Sequence, residues 1–199
     1  GHKKTVSALA ASSSTDLLAS GSYDDTVRLW AISSGEELAV LKGHKGNLAA
    51  LDLAPDDRIL ASAGLGDRIL LWAVPSGDSL GELVGHRAAV TGLAFSPRGD
   101  LLASAGYEQT VKLWSTASWQ EYRTLELPAR GTYPLAFSPD GHVLAAAMER
   151  KVLLWSIRDG AMIGELSIDI KGLYSVAFSP DGRWLALAGA DGTIRVWPR

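Results

Sequence analysis

Cysteine is absent from all 199 residues, which excludes a disulfide framework and any thiolate metal site. Long apolar runs are missing too. No stretch approaches the roughly 18 residues that a membrane-spanning helix needs, and no charged start leads into the apolar segment of a signal peptide. Charge of one sign never accumulates in a block. The net charge is −3 and the isoelectric point is ≈ 5.8. With acids and bases interspersed, the surface does not read as one built mainly for nucleic acid or an anionic membrane. We expect a soluble, cytoplasmic protein with neither nucleic acid nor membrane among its partners. The first residue is Gly1 rather than methionine, and we expect the natural start to lie upstream.

What the chain does contain is a repeat. Trp30, Trp72, Trp114, Trp155 and Trp197 follow one another at separations of 42, 42, 41 and 42 residues. Each closes a segment of one design: an apolar run such as LAFSP, then LLAS, then TVRLW or a variant of each. Self-similarity at such a period marks one supersecondary unit that must stack on copies of itself to bury its faces. The apolar runs are short, rich in Val, Ile, Leu and aromatics, and bounded by Ser-Pro, Asp-Gly or Ser-Gly turns, which leaves no room for helices.

The third repeat predicts strand a at Val90 to Phe95, b at Leu101 to Ala105, c at Thr110 to Ser115 and d at Gln120 to Leu125. Four short antiparallel strands, repeated five times, predict an all-β propeller of five blades, with strand a lining the central channel and d outermost. The blades span residues 1–42, 43–84, 85–126, 127–167 and 168–199 of a single domain or propeller fragment.

The stretch GHRAAVTGLAFSPRGDLLASAGYEQTVKLW, from Gly85 to Trp114, resembles a WD (tryptophan-aspartate) repeat, and the resemblance runs the length of the chain. It implies a hydrogen-bonded tetrad of histidine, b-strand serine, turn aspartate and c-strand tryptophan in each blade. Blade 1 has all four in His2, Ser20, Asp24 and Trp30. Blade 2 keeps His44, Ser62 and Trp72, but Gly66 stands at the acid position, with Asp67 one residue later. Blade 3 has His86, Ser104 and Trp114, with Glu108 in place of aspartate. Blade 4 has Pro128 and Ala146 at the histidine and serine positions, and blade 5 has Asp169 and Leu187 there while keeping Asp191 and Trp197. Losing members of a buried polar network leaves packing less specific. Blades 4 and 5 are therefore expected to be the less rigid ones.

The last blade carries strands a, b and c but no d, and the family's usual closing strand would precede the first blade. We expect the sequence to be the C-terminal part of a longer propeller. A closed five-bladed ring is one alternative. Another is self-association of open rings through the incomplete last blade, whose strand c offers unpaired backbone groups.

Candidate chemistry resolves into structural roles. His2, His44 and His86 occupy the Gly-His position of successive blades, and His142 follows a Pro-Asp-Gly turn, where exposure is expected. Asp140, Asp181 and Asp191 stand in Asp-Gly turns without the alternating oxygen ligands of a calcium loop. No glycine-rich stretch has the ending of a phosphate cradle, and no serine, histidine and acid set has the context of a nucleophile elbow. We expect no enzyme, no cofactor and no metal.

The resemblance implies instead a protein or peptide partner held on the face where the d–a loops and b–c turns open around the channel. Its usual contact positions place Tyr23, Leu65, Tyr107, Tyr133, Met148 and Tyr174 on that rim, including four of the chain's five tyrosines. Aromatic side chains at a rim supply contact area at low entropy cost. The alternative is that these tyrosines plug the channel or pack on neighbouring loops. Arg130, Arg150 and Lys151 add positive charge on blade 4. The function expected is a non-enzymatic interaction scaffold or sensor, the C-terminal part of a larger bacterial signalling protein. The alternative is an engineered or excised fragment with a structural, self-assembling role.

Overall fold

A computed structural model describes residues 1–131, 133–148, 150–169 and 172–198. The described residues form nineteen strands and no α-helix. Blade 1 comprises β1 (Val6–Ala11), β2 (Leu17–Ser22), β3 (Thr26–Ala31) and β4 (Glu37–Lys42). Blade 2 comprises β5 (Leu48–Leu53), β6 (Ile59–Gly64), β7 (Arg68–Ala73) and β8 (Ser79–Val84). Blade 3 follows with β9 (Val90–Phe95), β10 (Leu101–Gly106), β11 (Thr110–Ser115) and β12 (Gln120–Glu126), within one residue of the sequence reading at every end. Blade 4 has β13 (Leu135–Phe137), β14 (Val143–Met148), β15 (Lys151–Ser156) and β16 (Met162–Ser167). Blade 5 has three strands, β17 (Leu173–Phe178), β18 (Trp184–Gly189) and β19 (Ile194–Pro198).

Within each blade the strands pair antiparallel in chain order. The first strands, β1, β5, β9, β13 and β17, pack on one another in succession, which places them innermost. The fourth strands carry mostly exposed side chains. This follows from patterning: strands a to c are apolar on both faces because each blade is covered on both sides, whereas d strands meet solvent.

Four apolar cores lie between consecutive blades. Leu29 and Leu41 of blade 1 meet Leu51 and Trp72 of blade 2. Ile69 and Leu83 meet Phe95 and Trp114, Leu113 and Leu125 meet Phe137 and Trp155, and Ala147 and Val152 meet Leu173 and Leu187. Among the described residues no such core joins blade 5 to blade 1. Blade 4 buries Val152 completely against blade 5, but the corresponding residue of blade 5, Ile194, is 75% exposed. On the opposite end, Leu9 of blade 1 is 64% exposed, whereas its blade 2 counterpart Leu51 is buried. The arc of blades thus presents one open apolar face at each end.

Candidate functional site

The b–c turns and d–a loops sit together at one end of the blades because the tetrad ties them. In blade 1, Trp30 Nε1–H donates to Ser20 Oγ at 2.7 Å, Ser20 lies 2.8 Å from His2 Nε2, and His2 Nδ1 faces Asp24 at 3.1 Å. This order assigns the proton to Nδ1 and makes Nε2 the acceptor of the serine hydroxyl. Asp24 also accepts from Lys3 N at 2.8 Å and from Thr26 Oγ1 at 2.6 Å. Burial pushes its carboxyl up, but the hydrogen bonds from Thr26, Lys3 and His2 outweigh burial and hold it well below the ordinary carboxylate range.

Blade 3 repeats the arrangement with a longer acid. Trp114 Nε1–H donates to Ser104 Oγ at 2.8 Å, Ser104 meets His86 Nε2 at 2.7 Å, and His86 Nδ1 meets Glu108 Oε1 at 2.5 Å. Arg87 N and Thr110 Oγ1 crowd onto that same oxygen, while Glu108 Oε2 is buried without a partner. Burial lowers the His86 pKa against the pull of Glu108, so the imidazole stays neutral. In blade 2 the tryptophan, serine and histidine contacts persist, Trp72 to Ser62 at 2.7 Å and Ser62 to His44 Nε2 at 2.7 Å, with no carboxylate on Nδ1 among the described residues.

At the rim, one backbone bond recurs. The amide of Tyr23 donates to Thr5 O at 2.9 Å, Leu65 to Asn47 O at 3.0 Å, Tyr107 to Ala89 O at 2.8 Å and Ala190 to Gly172 O at 2.9 Å. Each pins the residue before the turn acid to the residue three beyond the histidine position. Tyr23, Leu65 and Tyr107 consequently stand at equivalent points of consecutive blades and are 40%, 61% and 44% exposed. Tyr174 is exposed as well, beside the open face of blade 5.

Two of the expected rim residues are not on the surface. Tyr133 is completely buried and Met148 is buried, both in the core between blades 3 and 4. Tyr133 Oη donates to Ala129 O, its amide approaches Thr91 Oγ1 at 3.3 Å, and a Cβ on Gly92 would meet Tyr133 O at 2.1 Å. The cause is local. Pro128 replaces the histidine, β13 begins only at Leu135, and the ring fills the space so left. In blade 4 Ala147 N donates to Pro134 O at 3.0 Å, one step beyond the pairing of β13 with β14.

The remaining sequence-predicted groups fall as follows. His142 is exposed. Asp140, Asp181 and Asp191 each accept the backbone amide two residues on, at 2.9, 3.0 and 3.0 Å, and so close turns. Sequence reading missed Asp52, a β5 residue whose Oδ2 accepts Phe95 N at 2.6 Å across the boundary of blades 2 and 3. Burial raises its pKa to about 6 against the hydrogen bonds from Phe95 and Leu53. A carboxylate within an otherwise apolar strand was the available signal.

The profile of the WD domain, G-beta repeat family matches residues 1–31, 35–73, 77–115 and 166–198. The matched segments are blades 1, 2, 3 and 5, and the unmatched one is blade 4, where Pro128 and Ala146 break the tetrad and Tyr133 has turned inward. Comparison with curated proteins finds no match. The matched repeats cover more than half the chain and coincide with four of its five blades, and the chain belongs to the WD domain, G-beta repeat family.

Proposed function

We propose that this chain is a non-catalytic scaffold that holds a protein or peptide partner at the end where its b–c turns gather. Propellers of the family generally bind protein partners and typically have no catalytic role. The supporting observation is the row of Tyr23, Leu65 and Tyr107, three large side chains fixed by the same backbone hydrogen bond and left exposed. Rigid aromatics such as Tyr23 and Tyr107 are frequent binding hot spots, because little entropy is lost when they are covered. In blade 5 the equivalent place is held by Ala190, and Tyr174, on β17, is a separate exposed aromatic. The proposed setting, a cytoplasmic signalling protein of a bacterium, rests on the likeness of the blades alone. With a partner captured from native extract, Tyr23→Ala and Tyr107→Ala should each weaken binding by about 2 kcal/mol, while the outer-strand change Tyr122→Ala leaves it intact. The reverse pattern moves the site to the d strands.

A second reading, self-assembly, is favoured by the open apolar faces at Val6 and Leu9 of blade 1 and at Ile194 and Val196 of blade 5. A blade 5 face set against a blade 1 face of another copy repeats the packing between blades within the chain. Light scattering across a concentration series tests it, with a mass independent of concentration and equal to one chain as the contrary result.

A further inference from the structure

We propose that blade 2 carries a binding pocket for a carboxylate group, which takes the place left by the missing tetrad acid. In blades 1 and 3 a carboxylate sits between the histidine Nδ1 and the next residue's amide, as Asp24 does with His2 and Lys3 and Glu108 with His86 and Arg87. The corresponding donors of blade 2, His44 Nδ1 and Lys45 N, have no hydrogen-bond partner among the described residues. Ser62 Oγ lies 2.7 Å from His44 Nε2 and 3.5 Å from Leu70 O, so its hydroxyl proton goes to the imidazole, and Nδ1 carries a proton of its own.

The space before these donors is open. A cavity of about 350 Å³ is lined by Gly43, His44, Lys45, Gly66, Asp67 and Arg68, with Glu82 at its side. A Cβ built on Gly66 meets nothing within 4 Å, so the room that an aspartate would use is present. The matching cavity of blade 3, about 370 Å³, has Glu108 in its wall. Pairing between β6 and β7 also ends early. It stops at Ser62 and Leu70, whereas the hairpins of blades 1 and 3 continue to Gly21 with Val27 and to Gly106 with Thr110. Blade 2 therefore keeps a cavity of similar size but lacks, before His44 Nδ1 and Lys45 N, the internal acid of its neighbours.

Asp67 does not supply that acid. Its carboxylate is half exposed and lies 3.9 Å from Arg68, whose guanidinium also holds Glu82. Asp25 of blade 1 acts on His44 through its charge alone, and the one hydrogen bond of the imidazole among the described residues is that of Nε2 with Ser62. An incoming carboxylate gains two N–H donors that no described residue uses, with the Lys45 side chain at the mouth for the charge.

The test is a titration of the whole chain with sodium acetate and, separately, with N-acetyl-aspartate amide, following the histidine ring signals by NMR. The His44 signals should shift saturably while those of His2 and His86 stay fixed. Tighter response to the aspartate amide identifies an acidic side chain of a partner as the occupant. Tighter response to acetate identifies a free small acid. Gly66→Asp should abolish the His44 response by filling the place covalently, and Gly66→Asn should abolish it without adding charge. A response undiminished in both variants, a response shared equally by the three histidines, or no response at His44 overturns the proposal. So does Asp67→Asn if it alone moves the His44 signals as far as saturating ligand does, since Asp67 would then already fill the place.

Discussion

The amide of Phe95 donates to the Asp52 carboxylate at 2.6 Å, joining blade 3 to blade 2 through a charge set among apolar strands. Burial raises the Asp52 pKa from 3.8 to about 6, so the folded chain binds this proton more tightly than the unfolded one. The stabilisation from that proton is complete below pH 3.8 and is lost as pH rises through about 6. Asn keeps an acceptor for Phe95 N and removes the charge. Asp52→Asn should therefore stabilise the fold at pH 7 by about 1 to 3 kcal/mol, with no gain at pH 4, as measured by denaturant unfolding. Equal effects at both pH values contradict the assignment.

His44 acts in the opposite sense. Its pKa is lowered by burial to about 4, so the unfolded chain binds the extra proton and stability rises as pH increases from about 4 to 6.5. In the Asp52→Asn background this rise should persist, joined by that of His86, whose pKa burial also lowers. A flat pH profile between those values in that background runs against it.

Asp24 gathers donors from His2, Lys3 and Thr26, and removing it leaves them unsatisfied. Asp24→Ala should cost about 1 to 3 kcal/mol, whereas Asp67→Ala, at a half-exposed side chain, should cost less. Thermal unfolding of the two variants side by side decides between a formed and an unformed network.

Glu108 uses one oxygen for three donors and buries the other without a partner. Aspartate in the same place of blade 1 uses both. Glu108→Asp should thus stabilise by up to about 1 kcal/mol. A clear loss of stability means that the longer side chain is the better fit in this blade.

Tyr133 and Tyr107 separate packing from exposure. Tyr133→Ala empties a site between blades 3 and 4 and should cost about 3 to 5 kcal/mol. Tyr107→Ala changes a surface side chain, and its effect on stability should stay within about 0.5 kcal/mol.

The fold was legible because its signals are periodic. The tryptophan spacing, the turn pairs and the short apolar runs repeat, and in blade 3 they located every strand to within one residue. The tetrads of blades 1 and 3 were legible for the same reason. Where the repeat degenerates, position counting fails. Beyond Pro128 no histidine ties the loop to the blade, and Tyr133, counted onto the rim, is buried and bonds Ala129 O instead. Met148 follows it into the same core. Asp52 escaped notice because its partner is a backbone amide of the next blade, and no local pattern records such a contact. The pocket at His44 was visible in sequence only as a missing acid, since the substitution of Gly66 shows what is lost and not the room left behind.

A protein partner seated on the rim of b–c turns would shield Tyr23, Leu65 and Tyr107 from solvent. Hydroxyl-radical footprinting of the chain with and without its captured partner measures this most directly, because it reads the exposure of individual side chains in the native complex. Protection of Tyr23, Leu65 and Tyr107, with Tyr122 and Met162 on the outer strands unchanged, is the result predicted. Protection of Tyr122 and Met162 with the three rim residues still exposed contradicts it.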